Sequence, residues 1–152
     1  KKRGLSILNT TAEALEVLND KESVAFLSRM KVLNEAEIAS RYHISVERYN
    51  KTLQIEVATL LELVTGYVIP AIETQLTESH AALAGMLAAE AKEEQTTRVK
   101  TLEKVYAKIL GNREALENAF KKLEESPSEE ATMKALAKSV TPLSQALRQV
   151  CD

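Results

Sequence analysis

A single stripe of apolar residues runs through the middle of the chain: Ile38, Tyr42, Val46, Tyr49, Leu53, Val57, Leu60, Val64, Val68 and Ile72. Successive members are three or four residues apart, the spacing of one face of an α-helix. A β-strand would need apolar residues at every second position. Asn34 followed by Glu37 supplies a start signal, with each side chain placed to satisfy a backbone N–H of the first turn. A helix over 34–76 would span roughly 65 Å. That length suits a bundle member, which needs other helices laid alongside to cover its apolar face.

The flanking sequence supplies them. Thr10 and Glu13 form a capping-box pair ahead of a short helix with Ala14, Leu15 and Leu18 on one face. Asn19-Asp20 ends that helix and starts a second, carrying Val24, Phe26, Leu27 and Met30. Leu83, Met86 and Leu87 continue the central pattern, and the polar run 90–97 is the best candidate for a connection or a solvated stretch of helix. A second stripe follows at Val99, Leu102, Tyr106, Ile109, Leu116, Phe120 and Leu123, interrupted by Arg113. Its register survives Gly111-Asn112, which argues for one helix. Ser126-Pro127-Ser128-Glu129 reads as a helix start, with Ser126 as cap and Pro127 in the first turn. The last stripe is Met133, Leu136, Val140, Leu143, Leu147 and Val150. Pro70 and Pro142 fall inside two of these helices. Each lacks an N–H and crowds the carbonyl four residues back, so kinks are predicted near 66–70 and at Pro142. Two helices broken near Gly66 are the alternative.

The predicted fold is all-α: an elongated antiparallel helical bundle of long, kinked helices with coiled-coil-like packing. Residues 1–33 form short helices, 34–152 the long-helix bundle, and the whole is one domain. Composition agrees, with aromatics at 4%, no Trp, and only four Gly and three Pro in 152 residues. Strand-rich domains use more turn and aromatic residues than this.

The chemistry-bearing residues are sparse. Net charge is −2 and the pI about 5.8, which gives no general attraction to nucleic acid or to an anionic membrane. Lys1-Lys2-Arg3 is too short for a nucleic-acid arm. No signal-peptide pattern is visible, and no apolar run approaches the ~20 residues of a membrane span. The only cysteine, Cys151, excludes an internal disulfide, which suits a reducing cytoplasm. Gly4, Gly66, Gly85 and Gly111 are scattered and make no phosphate loop. His43 and Glu47 share a helix face, but a metal site needs three or four ligands. His80 is far along the chain, and a metal site built around His43 and His80 is the weakest reading. Arg41, Arg48 and Lys51 lie among Glu37, Glu47 and Glu56, a salt-bridged solvated face or a docking surface. Tyr42, Tyr49, Tyr67 and Tyr106 fall on or beside the apolar stripes, where packing is the default. No catalytic, cofactor-binding or metal residue is assigned. The first residue is Lys and the last helical pattern runs into Cys151-Asp152 without a stop, so the chain reads as excised from a longer polypeptide.

The stretch from Ser40 to Gln75 resembles the C-terminal helical region of type III glutamine synthetases. The matching residues are Arg41, Tyr42, Ile44, Tyr49, Lys51, Ile55, Glu56, Ile69, Pro70 and Ala71. Arg3-Gly4-Leu5, Thr11-Ala12-Glu13-Ala14-Leu15 and Val140-x-Pro142-Leu143 add to it. Residues 77–130 are generic helix. Family members run on to a tail containing Trp-Pro, which this chain lacks. The resemblance implies a cytoplasmic parent enzyme that joins ammonia to glutamate through a γ-glutamyl phosphate, with ATP and Mg²⁺ or Mn²⁺ bound upstream in a catalytic domain. It implies that this segment binds no cofactor itself, and packs on that domain or on neighbouring subunits of a homo-oligomer, with no nucleic acid or membrane as partner. A free-standing helical interaction module is the other reading.

Overall fold

The computed structural model describes residues 7–151; Lys1-Lys2-Arg3, the Arg3-Gly4-Leu5 match and Asp152 lie outside them. Every regular element among the described residues is helical. Two short helices, Thr11–Leu18 and Lys21–Arg29, lead into a long helix that runs Glu35–Leu63, passes through a π turn at Val64–Val68 and continues Ile69–Gly85. A return helix, Ala89–Lys121, ends in a 3₁₀ turn at Lys122–Glu125. The closing helix runs Glu129–Ala135, through a second π turn at Leu136–Val140, then Thr141–Cys151.

The starts follow the capping residues. Thr10 accepts from the Glu13 N–H at 3.2 Å, and Asn34 from the Glu37 N–H at 2.9 Å, with both glutamates answering their caps. Asp20 caps the second helix through the Glu22 N–H. The closing helix departs from expectation. Ser128, not Ser126, is its cap, accepting from the Ala131 N–H at 3.2 Å, so Pro127 lies before the helix. The preceding 3₁₀ turn takes Ser126 as its own end and draws its N–H to Leu123.

Both prolines are absorbed the same way. In a regular helix the ring of Pro70 would press on the Gly66 carbonyl and offer it no N–H. Instead the Ile69 N–H reaches five residues back to the Val64 carbonyl. At Pro142 the preceding Thr141 N–H reaches back to Leu136. One extra residue per turn gives each ring room while the helix carries on. The predicted disturbance near 66–70 is therefore a π turn inside one continuous helix, and the two-helix alternative falls.

The connection between the long helix and the return helix also differs from expectation. It is the three residues Met86, Leu87 and Ala88, and Leu87 is fully exposed. The polar run 90–97 is helix, its outer face solvated, with the Thr96 and Thr97 hydroxyls donating to carbonyls four residues back. Charge and threonine content there resembled a loop, but a solvated helix face has the same composition.

The return helix lies antiparallel to the long helix. Gln95 donates to the Ser79 carbonyl, His80 meets Glu103 at 3.2 Å, and the Tyr106 hydroxyl donates to Glu73 at 2.6 Å. The closing helix reverses again, with Asn50 bonded to Glu129 near its start and Asn112 to Ala146 near its end. It therefore runs in the same direction as the long helix. All three predicted stripes meet inside. Val57 and Val64 pack with Ile109, Leu116, Leu136, Val140 and Leu147 in the main core. A smaller cluster joins Ala12, Tyr42, Val46 and Met133, tying the first helix to the long and closing ones. Lys134 clamps it from outside by an ion pair to Glu16 at 2.9 Å.

Tyr67 does not join the packing; it is 71% exposed. The long helix is also more apolar than the sequence reading allowed. By length and composition it could cross a membrane, with a window of mean hydropathy 1.6 of which 11% is buried. The window is apolar because it has two faces. Val57 and Val64 hold the return and closing helices, and insertion in lipid would strip them from that core.

Gly111 sits in the middle of the return helix, and a Cβ added there meets nothing within 4 Å. Gly111→Ala is therefore expected to stabilise the chain by about 1 kcal/mol through helix propensity alone, measured by urea unfolding. Unchanged or lower stability would show that the return helix is not continuous there.

Candidate docking surface

Asn50 sets how the long and closing helices register. It is buried to 1% exposure, and its Nδ2 donates to both the backbone carbonyl and the carboxylate of Glu129, at 2.9 and 2.5 Å. Both acceptors need a donor, which fixes the amide orientation and leaves Oδ1 buried without a partner. A leucine would pack here in several registers; an amide with two defined acceptors accepts one.

Some surface charges are committed within the bundle. Glu117 bridges Lys121 at 2.9 Å and Arg113 at 2.6 Å, which explains why Arg113 interrupts the second stripe. Hydrogen bonds from Lys121 and then Arg113 hold the Glu117 carboxyl down at about 2. Lys51 pairs with Glu47. By contrast Arg41, Arg48, Glu56 and Arg148 make no ion pair among the described residues.

The candidate metal residues do not come together. His43 stands edge-on to the Tyr42 ring, 5.9 Å between centroids, on the exposed side of the long helix. His80 pairs with Glu103, and the helical rise between the two histidines is about 55 Å. A shared site at His43 and His80 is thus ruled out by distance. Among the described residues no three of His, Cys, Asp and Glu group as metal ligands. Cys151 is half-buried against the main core.

The long helix also carries an exposed apolar face that its dominant period does not mark. On the long helix Ile44 and Ile55 are 56% and 67% exposed, and Leu63 and Tyr67 stand out beside them. Ile44 and Ile55 both project away from the buried stripe, eleven residues or three turns apart. The short helices add Val17, Phe26, Met30 and Val32. Ile44 and Ile55 fall out of phase with the dominant stripe, so periodicity alone does not reveal this second face.

Residues 1–87 match the glutamine synthetase C-terminal domain family. The chain belongs to that family. It is 39% identical over 71 residues to a type-3 glutamine synthetase of Dictyostelium discoideum, covering 47% of this chain. It is 33% identical over 69 residues to a glutamine synthetase of Bacteroides fragilis, covering 45% of this chain. In each case the match spans a tenth of the relative's length. The family match takes in the short helices and the whole long helix, and stops in the turn at Leu87. Several residues that carry the family pattern, among them Arg41, Ile44, Lys51, Ile55 and Glu56, face outward rather than into the bundle.

The Glu117 bridge has a pH consequence. Its folded value lies below the ordinary 4.5, so its contribution to stability is complete above 4.5 and disappears as pH falls toward 2. The thermal midpoint of the native chain should therefore exceed that of Glu117→Gln near neutrality, with the gap closing between pH 4.5 and 2. A gap that is constant with pH would contradict the bridge.

Proposed function

We propose that the chain is the non-catalytic C-terminal helical domain of a glutamine synthetase, one domain of a polypeptide whose catalytic residues lie elsewhere. The parent is an ATP-dependent glutamate–ammonia ligase of nitrogen metabolism, cytoplasmic and oligomeric, with ATP and Mg²⁺ or Mn²⁺ in its catalytic domain. The domain docks on that catalytic domain or on neighbouring subunits.

The single observation that carries the docking role is the outward placement of Ile44 and Ile55. Large apolar side chains this exposed, on the face that carries the family pattern, cost solvation unless something covers them. Their burial would stabilise an assembly by about 1.5–3 kcal/mol each if complete. The bundle's own core does not need them, because the opposite face of the same helix already holds the return and closing helices. A free-standing interaction module would draw on the same face, but the family match over 1–87 favours the domain reading.

Isothermal titration of the 152-residue chain with ATP and Mg²⁺ is expected to show no stoichiometric binding. Ile44→Asp and Tyr67→Asp, introduced into the whole synthetase polypeptide, should shift its sedimentation toward smaller species. The same substitutions should leave the helicity and melting of the 152-residue chain unchanged. Stoichiometric nucleotide binding, or an assembly indifferent to both substitutions, would contradict the proposal.

A further inference from the structure

The outer face of the long helix has the same spacing read in either direction. Opposite its buried stripe lie Ile44, Arg48, Lys51, Ile55, Thr59, Glu62 and Gly66, all of them exposed. The steps are four, three and four residues up to Ile55, then four, three and four beyond it. Ile55 is the centre. It projects away from Leu53 and Val57, two residues to either side, which pack in the main core.

Reflected about Ile55, this face sets unlike partners together. Arg48 comes opposite Glu62, and Lys51 opposite Thr59. Ile44 comes opposite Gly66, where a Cβ would meet nothing within 4 Å, so a large apolar side chain faces open space. The charge of the whole helix is divided in the same sense. Arg41, Arg48 and Lys51, all of its lysines and arginines, lie within residues 35–51. From Thr52 to Gly85 it carries Glu56, Glu62, Glu73 and Glu78 and neither lysine nor arginine.

We propose that this face is a two-fold interface with a second copy of the chain, the two long helices antiparallel and crossing at Ile55. In a two-fold contact residue i meets j and j meets i. The Arg48–Glu62 pair is therefore made twice, Ile55 meets Ile55, and each Ile44 enters the space over the other copy's Gly66. The alternating steps of four and three are those of a helix–helix seam. A parallel contact would lay Arg48 on Arg48 and Glu62 on Glu62, like charge on like, so the charges select the antiparallel arrangement. The inference rests on the docking role above and names its occupant as a neighbouring subunit's long helix. The seam runs about 33 Å and is one helix wide. That is small beside the roughly 1,200 Å² of total burial in stable stand-alone complexes, so the 152-residue chain associates weakly. Tethering within a larger assembly raises the effective concentration of the two helices.

Disulfide trapping reads such a contact directly. With Cys151 replaced by serine, Ile55→Cys in a glutathione redox buffer at low salt should give a disulfide-linked dimer. Ile44→Cys should not, because antiparallel pairing holds the two copies of residue 44 about 33 Å apart, far beyond the ~6 Å Cα span of a disulfide. In the Ile55→Cys chain, adding either Arg48→Glu or Glu62→Arg should lower the dimer yield roughly tenfold. An equal mixture of those two chains should restore it, since the mixed contact regains an acid opposite a base at both sites. All four positions are exposed, and circular dichroism of each variant verifies that the fold is retained. No trapping at position 55, equal trapping at 44 and 55, or a mixture no better than its separate chains overturns the two-fold contact. If Ile55→Cys fails while Ile44→Asp still shifts the whole synthetase, the occupant is the catalytic domain and the docking role stands.

Discussion

The structure depends on the long helix staying one rod past Pro70. If it ended at Gly66, Val57 and Val64 would sit on one body and Val68, Ile69 and Ile72 on another, and the main core joins all five. The backbone bond from Ile69 to Val64 is what prevents this. It gives the proline ring the space of an extra residue and keeps the apolar stripe facing the return helix. The same device at Pro142 keeps Leu143 and Leu147 in line with Leu136. Two prolines that would stop ordinary helices are accommodated by widening a turn.

A rod of this length has more surface than its own chain can cover. One face holds the return and closing helices through closely spaced Val, Ile and Leu contacts, locked in register by Asn50 on Glu129. The other carries Ile44, Ile55, Leu63 and Tyr67 into solvent. These two faces together explain why the helix is apolar enough to pass for a membrane span while its buried share stays small. They also separate two tasks. The inner face makes the bundle, and the outer face is left for the docking proposed above.

Much of the fold was legible in the sequence because a helix imposes a rigid period. All ten residues of the central stripe are buried or half-buried, and the Thr10 and Asn34 caps form as their side chains dictate. The errors came where composition stood in for geometry. The composition of the polar run 90–97 fits a connection and a solvated stretch of helix equally well, and the structure shows the helix. The true turn at Met86-Leu87-Ala88 was hidden because its residues are apolar. Ser126 and Ser128 are equally good caps by type, and the choice between them depends on the 3₁₀ turn before them and on Asn50 reaching Glu129 from far along the chain. The outer face was the least legible. Ile44 and Ile55 match the family pattern, but their exposure follows only once the inner face is known.

Continuity of the rod is open to a direct distance measurement. Spin labels at Ser40 and Glu78, with Cys151 replaced by serine, bracket the π turn on exposed positions. A continuous helix places them about 57 Å apart along its rise, with a single narrow distribution in pulsed electron resonance. A distribution centred well below that, near the roughly 43 Å of a right-angle break at Gly66, or one spread across both values, would contradict the rod and everything built on its two faces.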